Sequence, residues 1–356
     1  MLRSAARAIL SLLLALSLTF SLWSGWQLAQ GWPGSAFVAA GAARIEAALN
    51  RDLARAAGDG RMTARLAALL DAAPRNWLAI EAVEEEMARQ GLAPPPELAA
   101  RRDAAYQADH GVIATGKACA ACGWDARNCS LEIVLICGLP VYLTPLPDLA
   151  GVLREGTHYA TGQEVDEVDF ALSAIGLTAV ALVPLTWGSS ALVKAGAGVA
   201  RLARRMGHLP EGVARVFARA ASDGFDWAGI ARVRSADELA ALARPARLRP
   251  ALEVLEDGGR MSSALGVPAT LHLLAHAEDA GELRRLAHVA EAAPNRSVAA
   301  FEVLGKSRLL RVARHLSRAA IRFAAALAVT LLALASMMGH ALGNALLREV
   351  RRRARG

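Results

Sequence analysis

Three long runs without Asp, Glu, Lys or Arg punctuate the chain, at 8–43, 170–193 and 323–347. A helix over the second would be roughly 36 Å long, enough to span a bilayer with some tilt. Between the runs, apolar residues recur at helical spacing. Ile45, Leu49 and Leu53 form one stripe, and Trp77, Ile80, Val83 and Met87 form another between Pro74 and Gly91. Pro94, Pro95 and Pro96 break the chain before a polar helix over Glu97–Asp109, and a later helix pair is expected over Ala269–Ala277 and Glu282–Ala293. No segment of any length alternates with a strand's period of two. The pattern therefore predicts an all-α integral membrane protein with about three transmembrane helices.

The flanks predict an arrangement. Arg3 and Arg7 precede the first run, and Trp23, Trp26 and Trp32 follow its apolar core, which is the order of a basic inner flank and an outer aromatic belt. Gln27 and Gln30 stand where a small-residue cleavage site should lie, so the run reads as an uncleaved anchor over 1–43; a cleaved signal peptide is the alternative. Glu164, Asp166, Glu167 and Asp169 precede the second run, and Lys194, Arg201, Arg204 and Arg205 follow it, sending 170–193 from outside to inside. This places 44–130 outside as a helical, cysteine-containing domain and 194–322 inside as a basic helical domain. The third run is bounded by arginines on both sides, so charge does not orient it; 323–347 crosses or re-enters, and 348–356 is a basic tail. The apolar segment 131–147 carries three prolines and Glu132, and reads as buried or re-entrant within a 131–169 connection.

Charge supports that division. Residues 1–193 have a net charge of −5, residues 194–320 of +7 and residues 321–356 of +5. Of 40 basic residues, all but Lys117, Lys194 and Lys306 are arginine, and this Arg and Ala excess fits a GC-rich bacterial genome. At 54% apolar residues the chain is neither disordered nor an ordinary soluble enzyme.

Candidate chemistry is sparse. Cys119, Cys122, Cys129 and Cys137 fall within 19 residues on the expected outer side, where disulfides persist. Two bridges are expected, with three pairings open. A four-thiolate zinc site and a redox role for Cys119-Ala-Ala-Cys122 are the alternatives. His272 and His276 share a helix face, with Glu278, Asp279 and His288 as further metal candidates, although an ordinary helical pair is expected. The acidic run 164–169 with His158 reads as a solvated loop rather than a cation site. Arg308, Arg311, Arg314, Arg318 and Arg322 form one basic stripe suited to anionic lipid at the inner leaflet. Interleaved aromatics are missing, so nucleic acid is not an expected partner, and neither a P-loop nor a credible dinucleotide fingerprint is present. No cofactor is expected.

Two further patterns involve longer stretches. Arg65–Val83 and Arg285–Val303 align at an offset of 220, each with Ala-Ala-Pro at an expected corner between helices. From Leu143 onward, Pro145, Asp148, Gly162, Asp169, Leu172, Gly176 and Leu177 occur in the order found in the helical region that precedes the toxic domain of bacterial polymorphic toxins. This stretch of about 40 residues resembles that region, with Pro147 replacing the usual Gly before Asp. The resemblance implies delivery or membrane passage and supplies no catalytic residue. The chain also resembles uncharacterised bacterial multi-pass membrane proteins that carry the same stretch. The resulting expectation is an inner-membrane structural or protein-interaction protein that meets a protein partner, with no reaction assigned to it. A membrane-inserting effector and a membrane redox or metal enzyme using the four cysteines are the alternatives.

Overall fold

The computed structural model describes residues 34–134, 137, 158, 161, 166–178, 190–230, 233 and 236–313. Among these the fold is all-α; extended backbone pairs only in a lone antiparallel bridge between Phe225 and Ala243. Ile45–Arg314 forms one compact unit. Met1–Arg44 and His315–Gly356 make up the other, of which 34–44 is described.

The expected stripes become core faces. Helix α1 (Gly34–Gly58) buries Ile45, Leu49, Leu53 and Ala56, and α2 (Arg61–Asp71) buries Met62, Leu66, Leu69 and Leu70. Gly60 joins them at φ 70°, a left-handed conformation that glycine adopts without a Cβ clash. Helix α3 (Trp77–Arg89) is capped by the Asn76 side chain and buries Trp77, Ile80, Val83 and Met87. Helix α4 (Pro96–His110) starts on the third proline and buries only Leu98; α5 (Val112–Trp124) follows a break at Gly111.

One long helix, α11 (Pro245–Leu265), packs against Ser190–Arg205, Glu211–Gly224, Val267–Leu274 and Ala280–Ala292. With these four, the further helices among the described residues between 166 and 304 are α6 (Glu167–Thr178), α7 (Ser190–Arg205), α8 (Glu211–Gly224), the single turn α9 (Trp227–Ile230), α10 (Ala236–Ala241), α12 (Val267–Leu274), α13 (Ala280–Ala292) and α14 (Ser297–Leu304). Helices α7 and α11 cross so closely that a Cβ on Gly196 would fall on the Leu255 carbonyl, and one on Gly259 on that of Leu192. The expected pair at 269–293 is observed as α12 and α13, with Asp279 capping the second.

One helix ties the late part of the unit to its beginning. Helix α14 packs on α12 and also on α2 and α3, from the opposite end of the chain. Both Ala-Ala-Pro segments are corners, and the helices that follow them, α3 and α14, pack against each other.

The described residues of 44–130 and 194–313, expected on opposite sides of a membrane, pack within one unit. Arg65 bonds Glu302, Arg296 bonds Glu86, Asn76 bonds His272 and Arg308 bonds Asp52, all within one unit. Partners in direct contact cannot sit on opposite faces of a bilayer.

No helix among the described residues is long and apolar enough to cross a membrane. The expected anchor over 1–43 lies outside the described residues except for its last ten, and 131–147 does except for 131–134 and Cys137. The expected segment 323–347 lies wholly outside them. In the 170–193 run, α6 ends at Thr178 and α7 begins at Ser190, with 179–189 outside the described residues. These helices pack on each other and on their neighbours. Phe170, Ala171, Leu172, Ala174 and Ile175 are buried, with the Phe170 ring 5.3 Å from that of Phe225 and 4.5 Å from that of Trp227. Residues 170–175 and Val193 are thus protein core, while Ala191 is exposed.

Candidate functional site

The most concentrated chemistry lies where α14 meets α2, α3 and α12. Glu302 is the one charged residue in Ser-Val-Ala-Ala-Phe-Glu-Val-Leu, and its side chain is 2% exposed. One carboxylate oxygen accepts from His272 Nε2 at 2.7 Å; the other accepts from Arg65 Nε at 2.8 Å and from its Nη2. Burial pushes this carboxyl up, and the bonds from His272 and Arg65 outweigh that push and hold it below the usual range.

The tautomer of His272 follows from a neighbouring cap. Asn76 Oδ1 accepts from the Ala79 amide at 3.1 Å, so its Nδ2 is the group 3.1 Å from His272 Nδ1. That ring nitrogen therefore accepts, and Nε2 carries the proton donated to Glu302. Both ring nitrogens are occupied, so His272 presents no lone pair to a substrate. His276 Nδ1 donates to the His272 carbonyl at 2.8 Å, and its ring lies 4.7 Å from that of Phe301. His208 is held below the ordinary histidine range by burial first and then by His272 and His276.

A second buried carboxylate lies nearby in the same interface. The Glu86 side chain is fully buried and accepts from Arg296 Nε at 2.9 Å and Nη2 at 2.6 Å. Gln90 at 2.8 Å and Arg89 at 3.3 Å complete its shell, and Arg89 also reaches the Asn295 carbonyl at 2.9 Å. Chemically, these two clusters fix helices in place; neither exposes a reactive group.

The sequence-predicted residues fare unevenly. All four cysteines are bridged, as Cys119–Cys137 and Cys122–Cys129, with Cα separations of 5.8 and 4.5 Å. That choice among three pairings leaves no thiolate for zinc. Arg308 does not face lipid alone: its Nε lies 3.0 Å from Asp52. Arg311 lines an open cleft of about 590 Å³ with Glu278, Glu282, Lys306, Ser307 and Leu310. Arg314, Arg318 and Arg322 lie outside the described residues. Lys306 lies 2.7 Å from Glu278 and 2.8 Å from Glu282. Among the described residues no group of three or more His, Cys, Asp or Glu is placed to hold a metal. Asp166 caps α6 and bonds Arg204.

Sequence reasoning missed Arg65, Asn76, Glu86, Arg296 and Glu302. A lone carboxylate inside an otherwise apolar helix, as at Glu302, was the available signal. No protein-family model, no curated protein and no solved structure matches the chain.

Proposed function

We propose that this chain is a structural or protein-interaction protein of the bacterial inner membrane, with the Ile45–Arg314 unit as one body on the outer face. The observation that carries this reading is the junction above. Ion pairs join 52–86 to 296–308, and the same unit holds two disulfides, which belong in an oxidising compartment. The 1–43 anchor runs outward behind Arg3 and Arg7, and 323–347 returns with Arg348, Arg351, Arg352, Arg353 and Arg355 inside. The body then serves as a rigid platform for another protein, its carboxylates and histidines being committed to internal bonds. Anionic lipid at the inner face meets the tail arginines rather than Arg308.

The test is a pair of alkaline phosphatase insertions, one in the 91–95 turn and one in the 207–210 turn. Both should be active in intact cells, and an impermeant amine crosslinker should convert the protein into a discrete heavier adduct. Activity at only one site breaks the single body; activity at neither puts it inside; and no adduct under any crosslinking condition removes the partner.

A further inference from the structure

Helix α5 has its apolar side turned outward. Val112 is 90% exposed, Ile113 75% and Trp124 92%. Spacings of four, three and four place Ile113, Lys117, Ala120 and Trp124 along one stripe, while Cys119 and Cys122 face the other way. Soluble helices carry this pattern inverted, apolar inward. The change of character is abrupt. Helix α4 is strongly charged, and after Gly111 the next 13 residues hold no acid and a single base, Lys117.

The face is also fixed in its orientation. The Cys119–Cys137 bridge ties α5 to the apolar 131–147 run, Cys122–Cys129 ties it to the following 3-10 turn, and His110 bonds Glu132 at 3.1 Å across the base of the loop. An apolar helix face held outward by two cross-links does not rotate to bury itself. Its occupant must therefore come from outside the loop.

We infer that α5 is a membrane-contact surface: its outer stripe lies in the interfacial layer of the outer leaflet, docking the body on lipid. This rests on the outer-face reading proposed above. Charge decides the chemistry of the occupant. The helix is carboxylate-free and its stripe carries one cation, Lys117, while Asp125 and Arg127 just beyond it offset each other; this suits phosphate headgroups, with the lysine stem along apolar surface and its ammonium among phosphates. Tryptophan, at the end of the stripe, is the residue type favoured at the headgroup level. An amphipathic helix lying in the interface plane buries just such a face.

The test uses the full chain in nanodiscs of phosphatidylethanolamine and phosphatidylglycerol, alone and with brominated acyl chains. Subtracting the emission of Trp124→Phe from that of the unaltered chain isolates Trp124. That signal should be blue-shifted, should lose most of its intensity in brominated lipid and should resist iodide. Ile113→Glu, at an exposed position, should shift Trp124 to the red and open it to iodide with helix content unchanged. Quenching by iodide alone overturns the inference, because the face then meets water. Protection from both quenchers also overturns it, because protein, including a second copy, then covers the face. Carbonate extraction of cell membranes separates the two readings. A retained chain with an aqueous Trp124 removes only the lipid surface, whereas a fully released chain removes the anchored protein as well.

Discussion

Removing Arg296 should destabilise the body more than any single exposed charge would. Its side chain is 15% exposed and its guanidinium holds the fully buried Glu86 carboxylate by two bonds, at 2.9 and 2.6 Å. Breaking a buried pair by deleting one partner costs about 3–5 kcal/mol, because the other charge stays buried. Here Gln90 and Arg89 remain on Glu86, so Arg296→Ala should fall near the low end, at about 2–3 kcal/mol. For a body of this size that is a Tm loss of roughly 4–12 °C. The assay is thermal unfolding of the full chain in mild detergent, followed by circular dichroism. Glu86→Gln completes a double-mutant cycle, in which the combined variant should lose about 1–2 kcal/mol less than the two single losses together. The pH dependence has a definite sign. Burial pushes Glu86 up, but Arg296, Gln90 and Arg89 more than offset it, leaving its folded value below the unfolded 4.5. The stabilisation is thus fully present above pH 4.5 and is lost as pH falls through the folded value, so the gap between wild type and Arg296→Ala should close in acid. An unchanged Tm with a strictly additive cycle would refute the shared core between the N-terminal helices and 296, and with it the one-sided body.

Gly196→Ala places a methyl group on the Leu255 carbonyl and should cost about 1–3 kcal/mol by overpacking, whereas Gly116→Ala, with open space around its Cβ, should be neutral or slightly stabilising; urea midpoints compare them. An impermeant maleimide should label intact cells only after reductant, and opening the 18- and 7-residue loops should cost about 3 and about 2 kcal/mol respectively in the chain-entropy picture. Cys122→Ser/Cys129→Ser should still form the Cys119–Cys137 bridge, as seen by mass spectrometry. His208, held below its ordinary 6.5 by burial and by His272 and His276, takes up a proton less readily folded than unfolded, so stability should begin to fall as pH drops below 6.5. His208→Gln should flatten that part of the stability profile.

The stripes at 45–53 and 77–87 were legible because each is a one-sided helix whose apolar spacing matches the helical repeat. The 170–193 run was ambiguous because a helix buried in a protein core and one crossing a bilayer both read as uncharged apolar stretches. That Phe170 and Ile175 are buried by protein neighbours is visible only in the fold. The charge asymmetry between the halves was visible, but which residues pair across them was not. Acidic and basic halves read as two compartments, but Asp52 and Glu86 in the first meet Arg308 and Arg296 in the second. These two pairs follow the net charge of the halves, whereas Arg65 with Glu302 runs the other way, so pairing is set residue by residue. The partners themselves were illegible: they lie 210 and 256 residues apart, beyond the reach of any periodicity.

The pairing of Arg308 with Asp52 also bears on the last apolar run, which arginines flank on both sides. Counted as free charges, the stripe from Arg308 to Arg322 opposes the tail from Arg348 to Arg355, and the orientation of 323–347 is undecided. Arg308, however, is drawn into the body by Asp52, which shortens the outer cluster. The positive-inside bias counts charge close to the membrane ends, and five tail arginines start directly at the end of the run. The tail should therefore lie inside. An epitope placed after Gly356 should survive protease in spheroplasts and be digested once they are lysed. Changing the five tail arginines to Gln should expose a fraction of the epitope, while changing Arg314, Arg318 and Arg322 to Gln should make its protection more complete. Digestion of the unaltered tail in intact spheroplasts would mean that 323–347 does not cross, and the body would then hang from the N-terminal anchor alone.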